Sequence, residues 1–221
     1  MPLALRDTTY GCVSNARAAL LDLETSTYMC LPEDLEPAVQ KLLAGATLSV
    51  ADEAALVDLV DEGILVETTS PRPHGQVSVQ PPLQHIPVEE APAPPLSVAL
   101  AFAYQIAAAA ALTFSPLTRV VAKQRARTRR LPTRALEANL PALIKIAKAF
   151  DASERLLPSN NKCLRRSLAM AAYLAHRGIA ANLVIAVKMR PFAAHAWTQV
   201  GDIIINDHID NVRPFTPILA V

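Results

Sequence analysis

The clearest pattern of apolar and polar positions lies in the last sixty residues of the chain. Over 163–177, apolar side chains recur at roughly helical spacing, at Leu164, Leu168, Ala171, Ala172 and Leu174. This spacing predicts an amphipathic helix whose apolar stripe faces a core. Asn160 or Asn161 is a plausible N-cap, and Gly178 is a typical C-terminal stop. We therefore predict an anchored helix whose first turn contains Cys163.

Three runs rich in β-forming residues follow this helix, at 182–188, 194–200 and 203–207. They predict an antiparallel sheet, with Gly201 and Asp202 as the turn between the last two runs. A strict two-residue turn would place Asp207 opposite Ala196 and pointing away from His195. A three-residue loop or one bulge would instead place Asp207 opposite His195 on the same face. A contact between His195 and Asp207 therefore requires the second register.

The first seventy residues combine short β-rich runs with two helical patterns. Three short strands are predicted, at 8–14, 18–23 and 25–31. Residues 32–44 then predict an amphipathic helix closed by Gly45, with proline and acidic residues in the opening turn, where both are favoured. A second helix is predicted over 50–62, ending at Gly63, with an apolar run beyond it.

A proline-rich segment separates these two regions. Residues 71–95 hold eight prolines and few large apolar side chains, with the prolines at 71, 73, 81, 82, 87, 92, 94 and 95. Such a segment favours extended polyproline geometry over a packed core. We therefore predict an N-terminal domain over 1–70, a linker over 71–95 and a C-terminal domain over 96–221.

Charge divides at the same place. Residues 1–96 carry 4 Lys and Arg against 14 Asp and Glu, a net charge of −10, whereas residues 97–221 carry 17 against 6, a net charge of +11. The halves could attract one another, or the acidic half could meet a basic partner. Net charge alone does not distinguish these alternatives.

Composition indicates a folded protein of a reducing compartment. The chain has 221 residues, 52% of them hydrophobic, which is enough for two small domains. Three cysteines form no disulfide framework, and the N-terminus lacks the pattern of a signal peptide, so a cytoplasmic location is expected. An uncharged run at 96–117 has transmembrane length, but its alanine content and its Tyr104, Gln105 and Pro116 favour a buried or partner-facing helix. No transmembrane span is expected.

Cys163, His195 and Asp207 are the residue types that a thiol nucleophile needs. A cysteine near a helix N-terminus is favoured as thiolate by the helix dipole, and nearby N–H groups can hold an oxyanion. A histidine can exchange its proton, and a carboxylate can orient the imidazole. Asp202 and Asp210 compete for the last role, but spacing favours Asp207. Trp197 shares a strand face with His195, so it could form a wall of the site or pack beneath it.

Other cysteines, histidines and basic residues are assigned no chemistry. Cys12, Cys30, His176 and His208 are interpreted as structural. No Cys-x-x-Cys motif and no close ligand pair on one helix occurs, and no glycine-rich phosphate loop occurs, so we predict neither a metal nor a cofactor. The basic run 119–134 has few interleaved aromatics, which favours a solvated helix face over nucleic-acid binding. Pairing of this run with the acidic N-terminal half is an intermediate alternative.

The same motifs resemble a known family. Cys163-Leu-x-Arg-Ser-Leu-Ala, the later Gly178, Ala194-His-Ala-Trp197 and Ile205-Asn-Asp207 are similar to the transglutaminase-like cysteine peptidase domain of lasso-peptide biosynthesis B proteins. The resemblance covers about the last sixty residues. It implies an α+β, papain-related fold in which Cys163, His195 and Asp207 form the triad that cleaves the leader from a ribosomally made precursor.

The resemblance also carries expectations for the rest of the protein. Many such proteins have an N-terminal winged-helix-like domain of three strands and helices that captures the leader as an added strand. That unit often has one helix more than the pattern of residues 1–70 predicts. Tyr28 and Leu31, on or next to the third strand, are candidate leader contacts, with core packing as the alternative. A separate ATP-dependent, asparagine-synthetase-like cyclase is the implied partner.

Two other classes of function stay open on the sequence. The same Cys-His-Asp arrangement serves acyl transfer in arylamine acetyltransferases and transglutaminases, where an amine resolves the thioester. The third possibility is an inactive peptide-binding adaptor, which would be expected if a triad residue were missing. None of the three is missing from this sequence.

Overall fold

The structure is a computed structural model, described here for residues 2–69, 77–87, 93–131, 136–157 and 162–221. The strands in these ranges are β1 Leu3–Leu5, β2 Thr9–Ser14, β3 Arg17–Asp22, β4 Thr27–Cys30, β5 Leu65–Glu67, β6 Gln84–His85, β7 Asn182–Met189, β8 Phe192–Val200, β9 Ile203–Ile204 and β10 Thr216–Ala220. The helices are α1 Glu36–Leu43, α2 Val50–Ala55, α3 Val57–Asp61, α4 Pro95–Phe114, α5 Leu117–Thr128, α6 Leu136–Glu154, α7 Lys162–His176 and α8 Ile209–Val212. This mixture of helix and sheet fits the predicted α+β class.

The chain divides into two compact units. The first comprises Met1–Ser78 together with Ala186–Ala194 and Phe215–Leu219. The second comprises Val79–Ile185, His195–Pro214 and Ala220–Val221. All three candidate catalytic residues belong to the second unit.

The first unit is built on the three predicted strands. β2, β3 and β4 form an antiparallel sheet with β3 in the centre, and β1 pairs with β5 in a separate two-stranded sheet. Helices α1 to α3 share one buried apolar core with these strands, which includes Leu20, Leu42 and Leu65. Glu36, at the start of α1, accepts hydrogen bonds from the Arg17 side chain at 2.7 Å and from the Ala18 N–H at 2.6 Å. The sheet and the first helix are thus joined by a buried carboxylate.

Two predicted helix bounds in this unit differ from the structure. The first helix begins at Glu36, because residues 33–35 form a turn after Pro32. The helix predicted over 50–62 is interrupted at Leu56, whose backbone leaves helical geometry (φ −90°, ψ 2°) while its side chain is fully buried. A capping box formed by Ser49 and Asp52 starts the first piece. The first unit therefore has one helix more than the sequence pattern predicted.

A five-stranded sheet carries the strands of the C-terminal part in the order β10-β7-β8-β9-β6. β6 lies in the segment predicted to be a polyproline linker, and it pairs in parallel with β9. The N–H of Leu83 bonds to the Asp202 carbonyl and the N–H of Ile86 to the Ile204 carbonyl, both at 2.9 Å. Residues 83–86 therefore differ from the unpaired spacer that was predicted, because they pair with β9 as a strand. The prolines at 71, 73 and 92 lie outside the described residues.

Helix α4 packs one face on α6 and α7. Gln105 is fully buried and donates from Nε2 to the Ser153 hydroxyl at 2.8 Å, and the ring of Tyr104 meets that of Tyr173 edge-on at 5.1 Å. Within the described ranges, α4 is the one helix that is long and apolar enough to cross a membrane, judged by length and composition alone. Of its most apolar stretch of 18 residues, 17% is buried. Most of the predicted basic run lies on α5, and its residues 132–134 lie outside the described part.

Candidate active site

Cys163 lies in the first turn of α7 and is half-buried. The predicted apolar stripe anchors this helix, since Leu168, Ala171 and Leu174 are at most 4% exposed. Gly178 ends the helix with a positive φ of 73°, and the Ile179 N–H returns to the Leu174 carbonyl at 2.9 Å. The candidate N-caps at 160 and 161 lie outside the described residues. A rigid helix therefore holds the thiol at its N-terminal end, where the backbone dipole favours an anion.

A salt bridge fixes the same helix from its other side. Arg166 approaches Glu154 of α6 at 2.7 Å, with both side chains at most 20% exposed. Arg166 is the arginine of the motif that carried the family resemblance. The ion pair with Glu154 indicates that Arg166, three residues after Cys163, orients α7.

His195 and Asp207 are in direct contact. Nε2 of His195 lies 2.6 Å from Oδ2 of Asp207, and the two side chains are 21% and 16% exposed. The other carboxylate oxygen of Asp207 accepts from the His208 N–H at 2.7 Å and from the Asn211 side chain at 2.9 Å. Asp207 therefore has its orientation set from two sides, and its remaining oxygen is directed at the imidazole.

The contact between His195 and Asp207 forms in the register in which Asp207 was expected to point away from His195. Val200 pairs with Ile203 and Gln199 with Ile204, which is the register of a strict two-residue turn. The ladder ends there, however, because β9 is only two residues long. Ile205 still donates to the Thr198 carbonyl at 2.9 Å, but the Thr198 N–H donates to the side-chain oxygen of Asn206 at 2.7 Å.

A side-chain amide thus replaces the next backbone carbonyl of the ladder. The chain bends over 205–207, and this bend brings Asp207 to His195. The expectation that their contact requires a three-residue loop or a bulge in the ladder was wrong.

A buried polar network connects the elements that carry the three residues. The Ser167 hydroxyl on α7 donates to the Ala196 carbonyl on β8 at 2.9 Å and accepts from Nδ2 of Asn206 at 2.8 Å. The Thr198 hydroxyl donates to the Ser167 carbonyl at 2.9 Å. Ser167 and Thr198 are fully buried and Asn206 is 4% exposed. The sequence reasoning missed these residues, although a serine and an asparagine stand inside the quoted motifs.

The electrostatics of the site favour a charged pair. A hydrogen bond with His195 lowers the pKa of Cys163 against the opposing effect of burial, and the N–H groups of Ala196 and Leu164 act in the same direction. The hydrogen bond to Asp207, followed by the one to Cys163, raises the pKa of His195 to about 9. Since Nε2 is bound to Asp207, Nδ1 is the ring nitrogen left for the sulfur. The arrangement supports a thiolate–imidazolium pair at neutral pH.

Asp207 stays ionised in this arrangement. Burial acts to raise the pKa of Asp207, but the hydrogen bonds from His195, Asn211 and the His208 N–H outweigh it, and its pKa lies below the usual value. A buried carboxylate beside an imidazole stabilises the imidazolium and fixes its tautomer. The chain of contacts Cys163, His195, Asp207 therefore has the chemistry of an activated thiol.

Comparison with known proteins identifies the family of the chain. A family model described as the transglutaminase-like superfamily matches residues 105–220, just over half of the chain. The chain belongs to the transglutaminase-like superfamily. The microcin J25-processing protein McjB of Escherichia coli is 41% identical over 58 residues, which are 26% of this chain and 27% of that protein. The chain thus spans about a quarter of this curated relative. No solved structure matches the chain.

This transglutaminase-like chain buries Trp197 instead of presenting it to a ligand. The indole is 1% exposed and donates from Nε1 to Gln199 at 3.0 Å, and its ring centre lies 6.3 Å from that of His195. Of the two alternatives for Trp197, packing beneath the site is therefore the one that the structure supports. The prediction that Trp197 contacts the substrate is therefore wrong, because the folded protein buries the indole.

The two candidate leader contacts in the first unit have different surroundings. Leu31 is 5% exposed and belongs to the apolar core, so burial excludes it as a contact residue in the folded protein. Tyr28 is half-buried on β4, and its ring meets Phe192 edge-on at 5.8 Å. Tyr28 thus lies on an edge strand with its ring packed on Phe192, whereas Leu31 lies in the core beyond that strand.

The remaining cysteines and acids of this superfamily member lie apart from the triad. Burial raises the pKa of Cys12 to about 12, which makes it unreactive, whereas Cys30 is exposed on β4. Asp210 approaches His208 at 3.3 Å and Arg213 at 3.8 Å. Among the residues that the structure describes, no group of three or more His, Cys, Asp or Glu side chains is placed to hold a metal ion.

Proposed function

We propose that this protein is a cysteine peptidase that removes the leader from a ribosomally made lasso-peptide precursor. The observation that carries the proposal is the hydrogen-bonded series of Cys163, His195 and Asp207 at the N-terminus of α7. Partial similarity to McjB, a protein named for processing microcin J25, supports a role in peptide maturation. Membership of the transglutaminase-like superfamily supports thiol chemistry at this position.

The proposed reaction begins with the thiolate. The sulfur of Cys163 attacks the carbonyl carbon of the bond between leader and core, and the carbonyl oxygen becomes an oxyanion. Backbone N–H groups in the first turn of α7 are the candidate donors to that oxyanion. The imidazolium of His195 then gives its proton to the departing amine, so the core peptide leaves with a free amino group and the leader remains as a thioester.

Water completes the cycle. Neutral His195 accepts a proton from water, the resulting nucleophile attacks the thioester carbonyl, and the thiolate leaves. The leader departs as a carboxylic acid and the imidazolium is restored. Asp207 stays ionised throughout and holds the imidazole by Nε2, so its role is to stabilise the charge and keep the orientation of His195.

Precursor recognition is assigned to the first unit, within the predicted domain 1–70. β4 is an edge strand of the three-stranded sheet, with Thr27 and Cys30 exposed and Tyr28 half-buried. An edge strand offers unpaired backbone groups to an extended peptide, which is the basis of strand addition. We propose that the leader adds beside β4 and contacts Tyr28, in a winged-helix-like arrangement. An asparagine-synthetase-like cyclase would then close the macrolactam, in the reducing cytoplasm.

Peptide masses provide the direct test. The purified protein is incubated with the precursor encoded beside its gene, with and without the cyclase, and compared with Cys163→Ala. Cys30→Ser is the matched control, since it removes an exposed thiol that is outside the site. We expect intact leader from the wild type and from Cys30→Ser, and none from Cys163→Ala. Absence of release by the wild type, even with the cyclase, would contradict the proposal.

Two further readouts separate the alternatives. Cys163→Ala should bind the leader as tightly as the wild type, and loss of both binding and cleavage would mean that this cysteine is structural. The mass of the released leader identifies the second step, because hydrolysis gives the free acid. Leader recovered as an amide of an added primary amine would instead favour acyl transfer, the activity from which transglutaminases take their name.

A further inference from the structure

One face of α4 is apolar and exposed along its whole length. Leu96, Leu100, Ile106 and Phe114 are 73%, 42%, 47% and 83% exposed. Between them the exposed positions are mainly alanines, and the one polar side chain on this face, Thr113, donates its hydroxyl to the Ala109 carbonyl within the helix. A helix of 20 residues is about 30 Å long. Soluble monomers seldom expose a continuous apolar face of this length, so it indicates an interaction surface.

Three cations border this exposed apolar face of α4. Arg119, Lys123 and Arg127 recur every four residues on α5 and therefore share one helix face. They line a cleft of about 210 Å³ whose other walls include Tyr104 and Ala107 of α4. None of the three forms an ion pair with a residue in the described part of the chain. Three neighbouring positive charges without a carboxylate fit an anionic ligand.

The two features together match the surface of an anionic membrane. Interfacial helices combine an apolar face with bordering Lys and Arg, which meet the phosphates of anionic lipids. The charged side chains that line the cleft beside this face, Arg119, Lys123 and Arg127, are all cations, which suits a uniformly negative layer of lipid phosphates. The excess of 17 Lys and Arg over 6 Asp and Glu in residues 97–221 favours the same negative surface.

The packing of α4 indicates that it lies on the membrane and does not cross it. Its opposite face is held by the hydrogen bond between Gln105 and Ser153 and by the contact between Tyr104 and Tyr173. A spanning helix would lose both contacts and expose the amide of Gln105 to hydrocarbon. We propose that the second unit docks on an anionic phospholipid surface, with the exposed face of α4 at the acyl boundary and Arg119, Lys123 and Arg127 on lipid phosphates.

Vesicle co-sedimentation of the full chain tests this proposal. Vesicles of phosphatidylcholine alone are compared with vesicles of phosphatidylcholine and phosphatidylglycerol in equal parts. We expect binding to the anionic vesicles only, weakened by salt because surface charges are screened. Lys123→Gln with Arg127→Gln should weaken binding by about fivefold for each cation removed, about 25-fold in all. Leu100→Gln with Ile106→Gln should weaken it by about tenfold or more.

Matched controls make the same chemical changes elsewhere. Lys145→Gln removes an exposed cation of α6, and Val50→Gln adds an amide at a valine of α2 that is 85% exposed. Both should bind like the wild type. Alkylation of Cys163 at the wild-type rate in every variant would show that the second unit remains folded.

Three results would overturn the proposal. The first is equal sedimentation of the wild type with neutral and anionic vesicles, or with neither. The second is a loss in the control variants as large as in the surface variants. The third is concentration-dependent self-association that Leu100→Gln with Ile106→Gln removes, without any vesicle binding, which would assign the exposed face of α4 to a second copy of the chain. The proposal is independent of the peptidase activity, so failure of either leaves the other untouched.

Discussion

The charge of His195 should depend on Asp207, and this can be measured without knowing the substrate. Two substitutions separate the contributions of Asp207. Asp207→Asn keeps an acceptor for Nε2 but removes the negative charge, and Asp207→Ala removes both. The pKa of His195 is raised, so the stabilisation of its imidazolium is complete below the usual value of 6.5 and is lost as the pH rises through about 9. Each substitution should therefore move this loss to lower pH.

The size of the effect follows from the same two values. With a pKa of about 9, about 90% of His195 is protonated at pH 8, and with a pKa of 6.5 only about 3% would be. Because Cys163 supplies a smaller share of the shift, Asp207→Ala should remove most of it but not all. We expect the imidazolium fraction at pH 8 to fall by about five- to thirtyfold, with a smaller fall for Asp207→Asn.

Alkylation by iodoacetamide reports on the pair through the thiolate. The rate is followed from acid to alkaline pH in a Cys30→Ser background, in which Cys12 is the other thiol and is 1% exposed. In the wild type the rate should reach its plateau well below the usual thiol pKa, because the imidazolium stabilises the thiolate. In Asp207→Ala the midpoint should rise, because an imidazole that is less often charged stabilises the thiolate less. If the protein cleaves a peptide as proposed, the alkaline limb of its activity should lie near pH 9 in the wild type and at lower pH in Asp207→Ala.

Asp210→Asn is the matched control for these variants. Asp210 is a neighbouring, exposed carboxylate that pairs with His208 and Arg213. Its substitution should leave the midpoint in place. An unchanged midpoint in both Asp207 variants would refute the reasoning. An equal shift in Asp210→Asn would mean that the overall electrostatic field of the carboxylates, and not the contact with Asp207, sets the charge of His195.

Three other substitutions and reactions test separate parts of the structure. Asn206→Ala leaves the buried Thr198 N–H and the Ser167 hydroxyl without this partner, so urea unfolding should show a loss of about 1–3 kcal/mol, and alkylation of Cys163 should slow because Asp207 loses its bend. Gly11→Ala would place a methyl group 2.6 Å from Cδ2 of Leu43, and we expect thermal denaturation to show a loss of about 1–2 kcal/mol. In the native protein, mass spectrometry should find Cys30 and Cys163 alkylated, and Cys12 modified only after unfolding. Wild-type stability of Asn206→Ala or Gly11→Ala, or early modification of Cys12, would contradict these expectations.

Residue types and approximate element positions were predictable where one local signal dominates. The helix that carries Cys163 begins within one residue of its predicted start, because an apolar stripe and a stop glycine coincide there. The strand over 182–188 was predicted because apolar residues run without interruption from Leu183 to Val187, and the strand of His195 because its second half holds the β-forming residues Trp197, Thr198 and Val200. Both signals come from neighbouring residues, which a sequence displays directly.

Long-range geometry was harder to predict. The predicted register would reach Asp207 only in a ladder that continues regularly, whereas the Asn206 side chain replaces a backbone acceptor and ends the ladder. Spacing rules describe regular strands and do not include a side chain that takes the place of a backbone acceptor. Likewise, alternation along the strand predicts that His195 and Trp197 share a face, but only packing decides that the indole is buried. The strand β6 was not predicted for a related reason, since its partner β9 lies more than a hundred residues away in the sequence.

The Asn206 side chain also has a consequence for motion. Thr198 lies in β8, Ser167 in α7 and Asn206 in the bend after β9, and buried hydrogen bonds join all three. Fraying of one element would therefore release the others, so the site lacks a low-energy partial opening. The amide hydrogen of Thr198 should then exchange with deuterium only when the whole unit opens. A thiol and an imidazole held in this way keep their alignment without a bound ligand.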